Sequence, residues 1–95
     1  MLFVIHGFDK KDNGALRQKT YEAHKAFLND LTPYGVTMVL SGPLTDDRGE
    51  QMIGSFMLVD APDRAHVEAF HHADPFFQAG VWEHITVTAF LKRQG

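Results

Sequence analysis

Six histidines, twelve acidic residues and no cysteine bound the chemistry open to this 95-residue chain. Thiolate nucleophiles and thiolate metal sites are excluded, which leaves proton transfer by imidazole and carboxylate as the chemistry to weigh. Metal binding by histidine needs ligands that share a face, such as positions i and i+4 of one helix. His71 and His72 are adjacent and project about 100° apart on a helix, while Phe70 stands four residues after His66. With no HxxxH or HExxH pair, no metal is expected, and His66, His71 and His72 read as solvated positions on a helix surface. His6 and His84 fall in strand-like segments and read as sheet residues.

His24 stands apart from the other five. Thr20 and Leu28 lie four residues from it, and Tyr21 and Phe27 three, so it borders an apolar stripe and faces inward. A partly buried imidazole titrates near neutral pH and needs a partner to fix its tautomer. Asp74, directly before Pro75, is the carboxylate that suits this role. An aspartate before proline is also a natural N-cap, accepting the backbone N–H of Phe76 or Phe77, and the two roles are compatible. Ser41, Gly42 and Pro43 read as a turn at a strand end whose amides and hydroxyl can hydrogen-bond a ligand. No GxGxxG, P-loop, GxSxG or paired-carboxylate spacing occurs, so nucleotide-binding and serine-hydrolase readings have no support.

The elements that position these residues follow from periodicity. "LFVIHGF", Leu2 to Phe8, is a β-branched and aromatic run that makes a first strand. Leu16, Thr20, Ala23, Phe27 and Leu31 lay one stripe on a helix over residues 15–31, ended by Pro33 and Gly35. "VTMVLSGPL", Val36 to Leu44, predicts a second strand running into the Ser-Gly-Pro turn, and "MIGSFMLVD", Met52 to Asp60, a third. Pro62 suits the first turn of a second helix capped at or next to Asp60 or Ala61, with Ala65, Ala69, Phe70 and Ala73 as its inner face. The residue before a proline is pushed out of the α region, so this helix should stop near Ala73. A short helical turn over "PFFQAG" and a fourth strand, His84 to Phe90, complete the chain.

The order βαββαβ predicts an α+β fold: a ferredoxin-like sandwich of a four-stranded antiparallel sheet with two helices on one face. Residues 1–95 are the length of one domain. The strands carry apolar residues on both parities, so the helix-free face needs a cover, and a homodimer packed sheet to sheet is expected. Hydrophobic residues at 44% and charged residues at 22% are ordinary for a globular protein. A net charge of −3 with scattered Lys and Arg gives no basic stripe, and no nucleic-acid partner is expected. Apolar runs are too short to span a bilayer and no leader-like segment opens the chain, which predicts a cytoplasmic protein with no membrane partner.

Several stretches, taken together and in order, resemble the YCII-related (YciI-like) family over nearly the whole length: "MLFVIHGFD", "AHKAFL" with His24, "SGPL", and "ADPFFQAGVWEHITVTAF". The resemblance implies a ferredoxin-like homodimer of the dimeric α/β barrel type, with a His and Asp pair, here His24 and Asp74, lining a pocket. It implies a glycine-proline turn at Ser41, Gly42 and Pro43. Asp74 would aim its carboxylate back at the first helix while Phe76, Phe77 and Trp82 wall the site. Some relatives carry an arginine one turn before the histidine, where this chain has Tyr21, and Arg17 is the residue that can compensate in binding an anionic substrate. The implied function is a cofactor-independent lyase or isomerase, dehydrochlorinase-like, acting on a small molecule. The alternative is a small-molecule binding or sensing dimer without turnover.

Overall fold

The computed structural model describes residues 1–95, and the chain alternates strand and helix along its length. Strand β1 (Leu2–Asp9) leads to helix α1 (Gly14–Leu28) and a 3₁₀ turn (Thr32–Tyr34). Strands β2 (Thr37–Thr45) and β3 (Met52–Asp60) form a hairpin, followed by α2 (Arg64–Ala73), α3 (Pro75–Ala79) and β4 (Trp82–Phe90). The sheet order is β2-β3-β1-β4 and every pairing is antiparallel. This is the ferredoxin-like α+β arrangement, with α3 as a short third helix appended to α2.

One face of the sheet is built from Phe3 and Ile5 of β1 and Met57 and Val59 of β3, all at most 2% exposed, and the helices close over it with Val67, Phe70 and Phe76. Gly7 shares that face, opposite Ser55 on one side and Ile85 on the other. A Cβ there would come within 2.7 Å of the Ile85 side chain, so only glycine lets β1 and β4 pack this closely.

Three local expectations are corrected. Helix α1 ends at Leu28, three residues short of the stripe's last member, because Asp30 accepts the N–H of Thr32 at 3.0 Å and starts a turn. Leu31 is still buried, from the loop. Helix α2 begins at Arg64 and not beside Pro62, because Asp63 is the residue whose side chain accepts the N–H of His66. Ser41, Gly42 and Pro43 are not a turn. They continue β2 in register with Met57, Phe56 and Ser55 of β3, and Pro43 is tolerated because β2 is an edge strand.

The inward faces of both long helices match the apolar stripes in part: Leu16 and Phe27 of α1 and Phe70 of α2 pack on the core as expected, and other positions differ. In α1 the buried positions are Arg17 and His24, seven residues apart, while Ala23 is exposed. In α2 they are Val67, Phe70 and His71, while Ala65 and Ala69 face outward. His71, expected on the surface, is only 2% exposed. Aromatic volume explains the choice: rotating Val67, Phe70 and His71 inward removes more apolar surface from water than burying alanines would. No helix is long and apolar enough to cross a membrane.

Candidate functional site

The site forms where the two polar residues on the inner face of α1 meet the turn between α2 and α3. The chain leaves the α region at Asp74 (φ −63°, ψ 128°), as a residue before proline must, and re-enters it at Pro75. That break lets the Asp74 carboxylate do two things at once. Its Oδ1 accepts the N–H of Phe76 at 2.9 Å, capping α3, and meets Nδ1 of His24 at 2.7 Å. Asp74 is fully buried, and its second oxygen, Oδ2, has no partner. A carboxylate only accepts, so the hydrogen of this contact lies on Nδ1 of His24, and a ring carrying that one hydrogen has its lone pair on Nε2. The imidazole is further held by Phe76, whose ring stacks on it at 3.9 Å between centroids and 3° between planes.

Nε2 of His24 has no partner within the chain, and the ring forms part of the wall of a cavity of about 180 Å³. Tyr21, Lys25 and Leu28 of α1 line one side of this cavity, and Ser41, Gly42 and Pro43 of β2 line the other. Arg17, Ser55, Met57 and Phe76 complete the lining. Two basic side chains, Arg17 and Lys25, thus stand on the wall and no carboxylate does.

Arg17 is 4% exposed and its guanidinium is largely committed. Nε and Nη2 grip Asp9 at 2.6 and 2.8 Å in a two-pronged ion pair, and Nη2 also donates to Ser55 Oγ at 2.8 Å. The guanidinium lies 4.8 Å from the centroid of the Phe76 ring, so Phe76 links the Arg17–Asp9 and His24–Asp74 pairs. Trp82 Nε1 donates to the same Ser55 oxygen at 3.1 Å, and its indole meets Phe76 edge to face.

Of the residues singled out from sequence, the structure brings together His24, Asp74, Ser41, Gly42, Pro43, Phe76 and Arg17. Phe77 and Trp82 are not on the cavity wall: Phe77 is 38% exposed beside His71 and His72, and Trp82 lies behind Ser55. Ser55, Met57 and Asp9 carry no local motif. Ser55 is legible only as a polar residue on the inward parity of β3, two positions before Met57. Asp9 closes β1 and has no sequence signal that ties it to Arg17.

Below the dyad, His71 packs against Phe77 and Trp82 with both ring nitrogens unpartnered. Burial pushes its imidazole below the ordinary value, against the opposing pull of the Asp74 carboxylate. No group of three His, Cys, Asp or Glu side chains is placed to hold a metal ion.

Comparison with known proteins places this arrangement among relatives. The family model for the YCII-related domain matches residues 1–91. Protein YciI of Escherichia coli and that of Shigella flexneri are each 32% identical over 97 residues, spanning 97% of this chain and 98% of the relative. Among solved structures, 5-chloro-2-hydroxyhydroquinone dehydrochlorinase (TftG) from Burkholderia phenoliruptrix, in complex with 2,5-dihydroxybenzoquinone, superposes with a TM-score of 0.83 at 29% identity. The match covers 96% of this chain and 94% of that one.

Proposed function

Since the chain belongs to the YCII-related family, we propose that it is a small-molecule enzyme that moves a proton with His24 and needs no cofactor to do so. The observation that carries this reading is the buried 2.7 Å contact between His24 Nδ1 and Asp74 Oδ1, which leaves Nε2 as a base at the cavity wall. Asp74 orients the ring and stabilises the imidazolium that forms when Nε2 takes a proton. A void of about 150 Å³ accommodates benzene, so the 180 Å³ here fits one six-membered ring with small substituents.

The dehydrochlorinase relative gives the reaction class: elimination of HX from a halogenated, oxygenated ring. In the keto tautomer of such a ring, where the hydroxyl proton has moved to the halogen-bearing carbon and made it saturated, His24 takes a proton from a neighbouring carbon or a conjugated hydroxyl, the freed pair forms the new double bond, and halide leaves with its bonding electrons. Protons and electrons balance without an oxidant, hence no redox cofactor. The open sheet face, with Phe8, Leu40 and Phe90 about half exposed, is proposed as the surface that pairs two copies.

Turnover of halogenated phenols, hydroxyquinols and lactones, followed by halide release and absorbance, tests the reading. His24→Ala should lower the rate by about 10² to 10⁴ while the protein stays folded. Undiminished turnover in His24→Ala would refute the mechanism. Thermal stabilisation by these rings without any turnover would instead favour the binding module.

A further inference from the structure

Ser55 presents a hydroxyl whose two accepting positions are both filled. Arg17 Nη2 donates to Oγ at 2.8 Å and Trp82 Nε1 donates at 3.1 Å. Guanidinium and indole are donors only, so neither can receive the hydroxyl hydrogen. A serine oxygen has two lone pairs and one hydrogen, and with both lone pairs engaged the hydrogen must point along the remaining direction. No acceptor within the chain receives it. The cross-strand neighbours of Ser55 are Pro43 and Gly7, neither of which brings a polar side chain. Ser55 is 4% exposed and lines the cavity that also holds His24.

We propose that Ser55 is a dedicated hydrogen-bond donor to the ligand, so that the site selects rings carrying an acceptor oxygen, as a carbonyl or a phenolate. The selection rests on the acid–base reading of the same cavity and adds to it the polarity of one ligand position. Arg17 acts here through Ser55: its cation, neutralised by Asp9 at 2.6 Å, holds the hydroxyl in its donating orientation. A phenolate or enolate oxygen is also the group on which charge collects when a base removes a proton from such a ring, so a fixed donor at that oxygen favours the charged state. With Arg17 neutralised by Asp9, Lys25 is the remaining cation on the wall, and no carboxylate lines it to repel an anionic ring.

The test compares two probes of one shape, pentafluorophenolate and pentafluorobenzene, by fluorine NMR titration against the full chain. Wild-type protein should prefer the phenolate. Ser55→Ala should weaken phenolate binding by about tenfold or more, as for a lost hydrogen bond to a charged group, and leave pentafluorobenzene unchanged. Ser55→Thr, which keeps the hydroxyl, should retain the preference. If Ser55→Ala fails to fold because Arg17 and Trp82 lose their acceptor, Trp82→Phe provides the second readout. It frees one lone pair, lets the hydroxyl turn away, and should lower the phenolate preference several-fold. An unchanged preference in folded Ser55→Ala, or in Trp82→Phe where the alanine variant does not fold, would overturn the proposal, as would a wild type that binds both probes equally. His24→Ala should keep the preference while losing turnover, so failure of this inference and failure of the acid–base mechanism are told apart.

Discussion

Replacing Asp74 by asparagine changes one charge in a site where every contact is defined. The carboxylate is fully buried and Oδ1 holds both the Phe76 N–H and His24 Nδ1. An asparagine Oδ1 can keep the cap to Phe76, so α3 should persist. The bond to His24 falls from a charge-assisted to a neutral hydrogen bond, a loss of about 1 to 1.5 kcal/mol. The new amide replaces an Oδ2 that has no partner, so its N–H groups are buried without acceptors, at about 1 kcal/mol or more. A net cost of about 2 kcal/mol lowers Tm by roughly 8 to 16 °C in a domain of this size. The effect on catalysis is separable. Without the anion the Nδ1–H tautomer is no longer enforced and the imidazolium loses its support, so turnover should fall by about 10² to 10⁴ at a temperature where the variant is fully folded. Nitrogen-15 NMR of the histidine ring reads the tautomer directly: Nδ1 protonated in the wild type, mixed in Asp74→Asn. A variant with the wild-type tautomer and full turnover, whatever its Tm, would show that Asp74 is only a helix cap.

Two other perturbations follow from buried polar groups. Folding holds His71 neutral and its pKa below 6.5, so the unfolded chain takes up a proton first as pH drops through 6.5. Stability is therefore intact above that value and falls as pH descends towards the lowered folded pKa. His71→Phe keeps the packing against Phe77 and Trp82 and should flatten this part of the Tm–pH curve; identical curves for the two proteins would refute the assignment. Arg17→Met strands the Asp9 carboxylate, whose side chain is only 7% exposed, and should cost about 3 to 5 kcal/mol in urea denaturation, most of it restored by adding Asp9→Leu. Equal losses in the single and double variants would mean that the ion pair is not what holds β1 to α1.

Local chemistry settled a large part of this molecule. The β-branched and aromatic runs at residues 2–8 and 52–60, too short for helices and bounded by polar or Gly/Pro turns, and the helical repeat after Gly14 specify βαββαβ. Pro75 determined where α2 breaks, since sterics before a proline act on the preceding residue in any context. The His24–Asp74 pairing was legible for the same reason: an inward-facing imidazole needs an acceptor, and the Asp-Pro step supplies a carboxylate with no helical duty other than a cap. What the local pattern misplaced were positions decided by competition for interior volume. Whether α2 turns Ala69 or His71 inward depends on the size of the space left by Phe77 and Trp82, which arrive from later in the chain. Ser41 to Pro43 read as a turn because proline and glycine break isolated strands, and only the edge position beside β3 makes them extended. Ser55, Arg17, Asp9 and Trp82 lie up to 73 residues apart, as Asp9 and Trp82 pair across β1 and β4. No spacing rule connects them, because their meeting is set by strand register, and register is a property of the assembled sheet.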